Sequence, residues 1–267
     1  MATVGPASWD SDNLKSIFDA GADVFRLNYS HGEPEQKTEL YNKIRSLESE
    51  KRTTCILADL PGPKLRLGEF DGVKLLNNGE TVRLICGKRE HNGEEIPVEY
   101  DGLSAELKPG DAVLVADGLI RLTVKESAGE KGSFVDCIVE DGGPVTSRKG
   151  INLPGTTIDL PAIGDKDKLA LDHALKSGAD WIAVSYVRSA EDLRPAKEAV
   201  KAAGLHTPII AKIEHPAALN NLHSILDTAD GVMVARGDLG VEIPLEQVPL
   251  AQQKIIDAGL MRGMVVI

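Results

Sequence analysis

Cysteine is scarce in this 267-residue chain, and its three copies, Cys55, Cys86 and Cys137, are odd in number and widely spaced. That pattern excludes a disulfide framework and a zinc site and fits a reducing, cytoplasmic setting, with Cys55 and Cys137 as inert members of apolar runs. Positive charge is also short. Thirty Lys and Arg against 41 Asp and Glu leave a net charge of -11, which argues against nucleic-acid and membrane-surface partners, since both need a basic face. Small anionic ligands stay open through local Arg and Lys clusters. No apolar run reaches membrane-spanning length, no signal-peptide pattern opens the chain, and no fixed-period repeat runs through it. The remainder is ordinary globular composition, 42% hydrophobic and 27% charged, sufficient for one large or two modest domains.

Residues 208–240 hold the most informative pattern. Two short apolar runs each end in charge: Ile209-Ile210-Ala211-Lys212-Ile213-Glu214 and Gly231-Val232-Met233-Val234-Ala235-Arg236-Gly237-Asp238. Each reads as a buried strand with a polar tip, and residues 217–226 read as one amphipathic helix between them, so the strands are expected to be parallel neighbours. Parallel strands bring their carboxyl ends to one edge, where α/β folds place ligands. Glu214 and Asp238 then converge, and Lys212 points to the same side of its strand as Glu214. Two carboxylates beside an ammonium suit a hard divalent cation, Mg2+ first, with the lysine free to meet a phosphate that the metal also holds. The plainer reading, charged strand ends that meet water, explains one such tip better than two. Residues 236–240 also mark a helix start whose free N–H groups suit an anion.

The rest of the chain alternates in the same way. Residues 2–4 form a scrap of strand, and a helix with apolar face Leu14, Ile17 and Phe18 ends at Gly21. A strand over residues 24–28 puts Arg26 and Asn28 on one face, with Ser30 and His31 just past its end; a wet edge strand is the alternative there. The spacing of Leu40, Ile44 and Leu47 predicts a helix over 34–51. A strand over 54–58 is tipped by Asp59, and the Pro-rich residues 60–66 form a rigid loop. From about 68 to 146 helical periodicity gives way to short β-type runs, at 81–85, 113–116, 119–124 and 134–139, with Asp-Gly pairs at 71–72, 101–102, 117–118 and 141–142 as hairpin signals. A linker over 149–155 leads back to strand and helix: helix 166–176, strand 181–185, helix 191–203, the unit above, helix 245–258 and an apolar tail, 264–267. The reading is an α/β chain, a (β/α)8 barrel in two parts, 1–67 and 148–267, with a small antiparallel β-barrel domain, 68–147, inserted after strand 3. Seven strands without an eighth leave sheet edges open, so the chain is expected to be a C-terminally incomplete piece of a longer product.

Seven motifs in order carry a resemblance across nearly the whole chain: Thr3-Val4-Gly5-Pro6-Ala7-Ser8, Arg26-Leu27-Asn28-Tyr29-Ser30-His31-Gly32, residues 59–66, residues 149–155, Ser185-Tyr186-Val187-Arg188, Lys212-Ile213-Glu214 and residues 233–242. Together they resemble the pyruvate kinase family. The resemblance implies a glycolytic enzyme that moves a phosphoryl group from phosphoenolpyruvate to ADP, giving pyruvate and ATP, with Mg2+ or Mn2+. It implies that Lys212 steadies the phosphoryl group, Arg26 binds phosphate, Glu214 and Asp238 hold the divalent metal, and Ala235, Arg236 and Gly237, with Asp238, form the substrate turn. Asn28, Ser30, Asp59 and Leu60 match a monovalent-cation site. His31, Arg66 and Lys149 match the nucleotide side, and Asp117 an acid on a lid that closes over the nucleotide. Full-length members form homotetramers. Lys64 stands where potassium-dependent members carry glutamate, so its ammonium is expected to replace K+; Leu60 replaces threonine, His215 asparagine and Tyr186 phenylalanine. The chain stops before the family's Ala-Thr-Gln segment, so weak or no activity alone is expected. The rival readings are a Mg2+-enolate lyase or aldolase on a similar barrel, disfavoured by the inserted domain with Asp117 and by Lys149, and a non-catalytic fragment.

Overall fold

A computed structural model describes residues 1–87, 93–129, 133–156 and 158–267. Residues Met1–Pro63, Pro161–Ala235 and Leu250–Ile267 form one compact unit, and Lys64–Leu160 with Arg236–Pro249 a second.

The first unit is built on a seven-stranded parallel sheet in the order Ala2–Val4, Val24–Asn28, Cys55–Asp59, Trp181–Val184, Ile209–Ile213, Gly231–Val234, Val265–Val266. The four central strands, Cys55–Asp59, Trp181–Val184, Ile209–Ile213 and Gly231–Val234, are buried on both faces, which is why they read as short continuous apolar runs. Alternation along each strand still sorts the side chains. Ile56, Ala58, Ile182, Val184, Ile209, Ala211 and Ile213 join the large core cluster with the helices. Leu57, Ala183, Ile210 and Met233 point the other way and form a small cluster of their own. Continuing by two residues along that second face gives Asp59, Ser185 and Lys212. Register puts Asn28 and Ala183 opposite Asp59 on its two sides, and Ala183 opposite Ile210, so Asp59 lies two residues short of Ser185 and Lys212 along that face.

The helices follow their apolar spacing, with local departures. Asp10 caps Ser11–Asp19 by accepting the Asn13 N–H at 2.8 Å, and Leu14 and Phe18 are its buried residues. The helix expected over 34–51 ends at Arg45, because Ser49 and Arg52 exchange backbone hydrogen bonds in a tight turn and Arg45 is drawn to Thr54, Gly178 and Asp180. The single helix expected over 217–226 is two, Pro216–Asn220 and Leu222–Thr228; they break at Asn221, whose side chain donates to the Arg188 carbonyl at 2.9 Å. The second apolar run of residues 208–240 leaves the sheet at Val234, so Asp238 sits in the first turn of the helix Arg236–Glu242 and not on a strand tip.

In the second unit a seven-stranded sheet runs Leu65–Arg66, Gly150–Asn152, Ala112–Val115, Ile120–Ser127, Phe134–Asp141, Thr81–Cys86, Ile96–Val98, beside a two-stranded sheet of Val73–Leu76 and Gly143–Thr146. All pairs are antiparallel except Thr81–Cys86 with Ile96–Val98. The loop expected over 60–66 thus ends in a short strand. Of the four Asp-Gly pairs, Asp117-Gly118 closes a hairpin between sheet neighbours, Ala112–Val115 and Ile120–Ser127; Asp101-Gly102 instead leads into the helical turn Leu103–Glu106.

Candidate active site

At the carboxyl ends of the first unit's strands, four charged side chains close on one another. Asp59 sits between two cations. Its Oδ2 accepts from Arg26 Nε at 2.7 Å and also meets Arg26 Nη2, while Oδ1 lies 3.0 Å from Lys212 Nζ. Lys212 Nζ reaches Glu214 Oε1 at 2.8 Å and Ser185 Oγ at 2.6 Å as well. An ammonium has three protons, so Asp59, Glu214 and Ser185 occupy the whole donor capacity of Lys212. Glu214 Oε2 accepts the Tyr186 N–H at 2.8 Å. Arg26 is steadied from the other side, donating from Nη1 to Thr3 Oγ1 at 3.1 Å.

Burial makes this arrangement costly unless charges match. The Asp59, Lys212 and Glu214 side chains are 2%, 9% and 4% exposed, so isolated charges there would be strongly disfavoured. Arg26, Lys212, Asp59 and Glu214 sum to zero. Burial alone would push the Lys212 pKa down, but Glu214 and Asp59 outweigh it and hold the ammonium above its ordinary value.

The edge carrying Asp59 is fixed by close packing. The Leu60 N–H donates to the Ala183 carbonyl at 2.9 Å, and Ser185 Oγ donates to the Leu60 carbonyl at 2.7 Å. Gly62 turns there with φ +73°, and a Cβ on it would stand 2.7 Å from Ser185 Cβ. Its N–H donates to Asp167 Oδ1 at 2.8 Å; burial pushes the Asp167 carboxyl up in pKa against the pull of the Gly62 and Gly164 N–H groups.

The remaining expected residues lie as follows. Asn28 is half-buried and accepts the Ser30 N–H through Oδ1 at 2.8 Å, while Ser30 and His31 are exposed. The Leu60 side chain belongs to the core, leaving its carbonyl on Ser185. In the second unit Lys64 Nζ meets Asp117 Oδ1 at 3.1 Å, Arg66 donates to the Arg148 carbonyl at 3.1 Å, and Lys149 is exposed. Arg236, Gly237 and Asp238 are exposed in the first turn of their helix, and Ala235 is half-buried. Glu214 belongs to the first unit and Asp238 to the second. Thr3 and Ser185 enter the sequence motifs without a site role of their own, and Asp167 and Lys37, which donates from Nζ to the Asn28 carbonyl at 2.8 Å, lie outside every motif. Ser185 was legible as the first polar residue after an apolar strand; the others depend on pairing across the fold.

Among the described residues no group of three or more His, Cys, Asp and Glu side chains forms a metal cage. Mg2+ does not need one: it takes one or two carboxylates and completes its shell with water and phosphate oxygens. A carboxylate has about four lone-pair sites, and Lys212 and Tyr186 are among the partners of Glu214. The zero net charge of the tetrad also means that an entering phosphate brings uncompensated negative charge, which a divalent cation balances. The residues fit the ion.

A family model described as pyruvate kinase, barrel domain, matches residues 1–267. The pyruvate kinase of Corynebacterium glutamicum is 43% identical over 258 residues, 96% of this chain and 54% of that protein. One from Agrobacterium vitis is 44% identical over 262 residues, 97% of this chain and 54% of its own length, and that of Mycobacterium tuberculosis is 42% identical over 258 residues. The chain spans about half the length of the curated relatives it matches.

Proposed function

The chain belongs to the pyruvate kinase family, and from that premise we propose that it carries the phosphoryl-transfer machinery that converts phosphoenolpyruvate and ADP to pyruvate and ATP. The observation that carries the reading is the charge-balanced tetrad of half-buried Arg26 with buried Asp59, Lys212 and Glu214. In the transfer the bond from phosphorus to the enol oxygen breaks, a bond to the terminal phosphate oxygen of ADP forms, and the released enolate takes a proton to become pyruvate. Such transfer needs alignment and charge neutralisation more than covalent help.

Each residue then has a task that its surroundings support. Arg26, held as a planar fork by Asp59 and Thr3, presents remaining donors to the phosphate. Lys212 exchanges one of its three partners for a phosphoryl oxygen, and the neighbouring carboxylates keep it protonated. Glu214, with Asp238, would hold Mg2+ or Mn2+, which when bound neutralises phosphate charge. Ala235, Arg236 and Gly237, ahead of Asp238, would receive the substrate carboxylate. Residues 68–147 would act as the lid of a (β/α)8 barrel, bringing Asp117 to the nucleotide beside His31, Arg66 and Lys149. Asn28, Ser30, Asp59 and the Leu60 carbonyl would form the monovalent-cation site, with Lys64 making K+ dispensable. A cytoplasmic location and a homotetrameric full-length protein complete the proposal; no helix of the described residues is long and apolar enough to cross a membrane.

The test is pyruvate formation from phosphoenolpyruvate, ADP and Mg2+, with and without K+, beside Lys212→Met. Metal-dependent turnover that disappears in the variant is the expected result. A folded chain that binds neither phosphoenolpyruvate nor ADP would overturn the proposal.

A further inference from the structure

Tyr29 lies between two candidate site residues, Asn28 and Ser30, and its N–H donates to the Asp59 carbonyl at 2.9 Å. It is therefore the backbone link between that turn and the residue that holds Arg26 and Lys212. Its hydroxyl faces inward, 3.0 Å from His173 Nδ1 and 3.3 Å from the Tyr41 hydroxyl. His173 is bound at its other nitrogen too, with Nε2 2.9 Å from Thr38 Oγ1. Thr38 Oγ1 in turn donates to the Pro34 carbonyl at 3.2 Å. The rings of Tyr29 and His173 meet edge to face at 5.8 Å between centroids, and Lys37 Nζ sits 5.7 Å from the Tyr29 ring centre while donating to the Asn28 carbonyl.

Proton accounting gives this chain one direction. A carbonyl only accepts, so the Thr38 proton goes to Pro34, Thr38 accepts from His173 Nε2–H, and His173 Nδ1 accepts from Tyr29. Tyr41 then donates to Tyr29, and every proton has an acceptor. In reverse, the hydroxyl of Tyr41, a residue only 2% exposed, has to leave its proton without an acceptor, because among the described residues Tyr29 is its one hydrogen-bond partner. An unplaced buried proton of this kind is disfavoured.

We infer that His173, as the neutral Nε2–H tautomer, is a positioning residue that pins the Tyr29 ring and through it the Asn28–Ser30 turn and the backbone over Asp59. It touches no substrate. The consequence for catalysis rests on the function proposed above; the tautomer and the pinning do not.

The test begins with the unaltered chain. Nitrogen-15 NMR of labelled histidine at neutral pH should show His173 with an unprotonated Nδ1 accepting a hydrogen bond and a protonated Nε2. His173→Phe keeps a ring and removes the acceptor, and should speed hydrogen exchange at the Tyr29 amide about tenfold and lower kcat/KM for phosphoenolpyruvate by about the same factor. His173→Asn places Oδ1 where Nδ1 stood and should recover most of both losses, which a purely space-filling role would not allow. An Nδ1–H tautomer in the parent, or Phe and Asn variants with the same exchange rates, would overturn the inference. If the chain shows no turnover, the NMR and exchange results still decide this point, and the functional proposal alone is put in question.

Discussion

Lys212→Met keeps the length and apolar stem of the side chain and deletes an ammonium shared by Asp59, Glu214 and Ser185. Asp59 retains Arg26, and Glu214 retains the Tyr186 N–H, but one carboxylate charge in the buried group is no longer balanced. Removing one partner of a buried pair costs about 3–5 kcal/mol, and the surviving hydrogen bonds place this variant near the lower figure. The deficit carries a pH signature. With the ammonium gone, burial and the like charge of Asp59 raise the folded-state pKa of Glu214 in the variant above its unfolded value. The folded variant then binds a proton more readily than the unfolded chain, so its stability falls as pH rises and its deficit shrinks as pH falls through the raised value. The parent has no such trend from Lys212: a raised lysine pKa contributes stability that is fully present below the unfolded value of 10.5 and is lost only as pH rises through the folded one. Urea unfolding at pH 5 and pH 8 reads the difference, and tryptophan fluorescence is a suitable probe because Trp9 and Trp181, both tryptophans of the chain, lie in the first unit. The deficit at pH 8 should exceed that at pH 5 by about 1.4 kcal/mol for each pH unit of pKa shift titrated between them. Phosphoryl transfer in the same variant should drop by about a thousandfold, the scale of losing a preorganised charge on the reacting group. A deficit below about 1 kcal/mol, or one equal at both pH values, would refute the reasoning that the tetrad is a tightly balanced buried cluster.

Other expectations are open to direct measurement. Arg26→Lys loses the fork on Asp59 and should raise KM for phosphoenolpyruvate about tenfold, close to one charged hydrogen bond, with the fold unchanged by circular dichroism. Gly62→Ala meets both a positive φ and Ser185, so it should lower the stability of the first unit by about 1–3 kcal/mol in the same urea assay; unchanged stability would mean that the turn relaxes freely. Lys64→Glu should make turnover rise on adding K+, which the parent should not show; an unchanged potassium response would remove Lys64 from the proposal. Burial pushes the Cys137 thiol up to about 12 and the Cys55 thiol up to about 11, so native thiols should react with a disulfide reagent at pH 8 about a hundredfold more slowly than in denaturant, where all three titrate.

The apolar runs of the sheet and the charged residues at their ends were legible in the sequence, because a strand buried on both faces has to be apolar throughout and its period of two carries outward to the first polar positions. Lys212, Glu214 and Asp59 stand out in this way, whereas Arg26 shows only as part of a polar face within the strand 24–28, which a wet edge strand explains as well, and its phosphate role comes from the resemblance that motif order carries. Helix ends were less legible. Arg45 ends its helix with its side chain drawn to Gly178 and Asp180, and Asn221 breaks another to reach Arg188, choices set by distant carbonyls and carboxylates. The full occupation of the Lys212 ammonium, and the chain from Tyr41 through Tyr29 and His173 to Thr38, belong to the tertiary structure alone. Ser185 is 27 residues from Lys212, and His173 is 144 from Tyr29. Sequence determined which residues had to end the buried strands, since local periodicity is a property of the chain itself; which of them share a proton or a charge is decided by strand register and helix docking, because hydrogen bonds act over about 3 Å in space and are indifferent to separation along the chain.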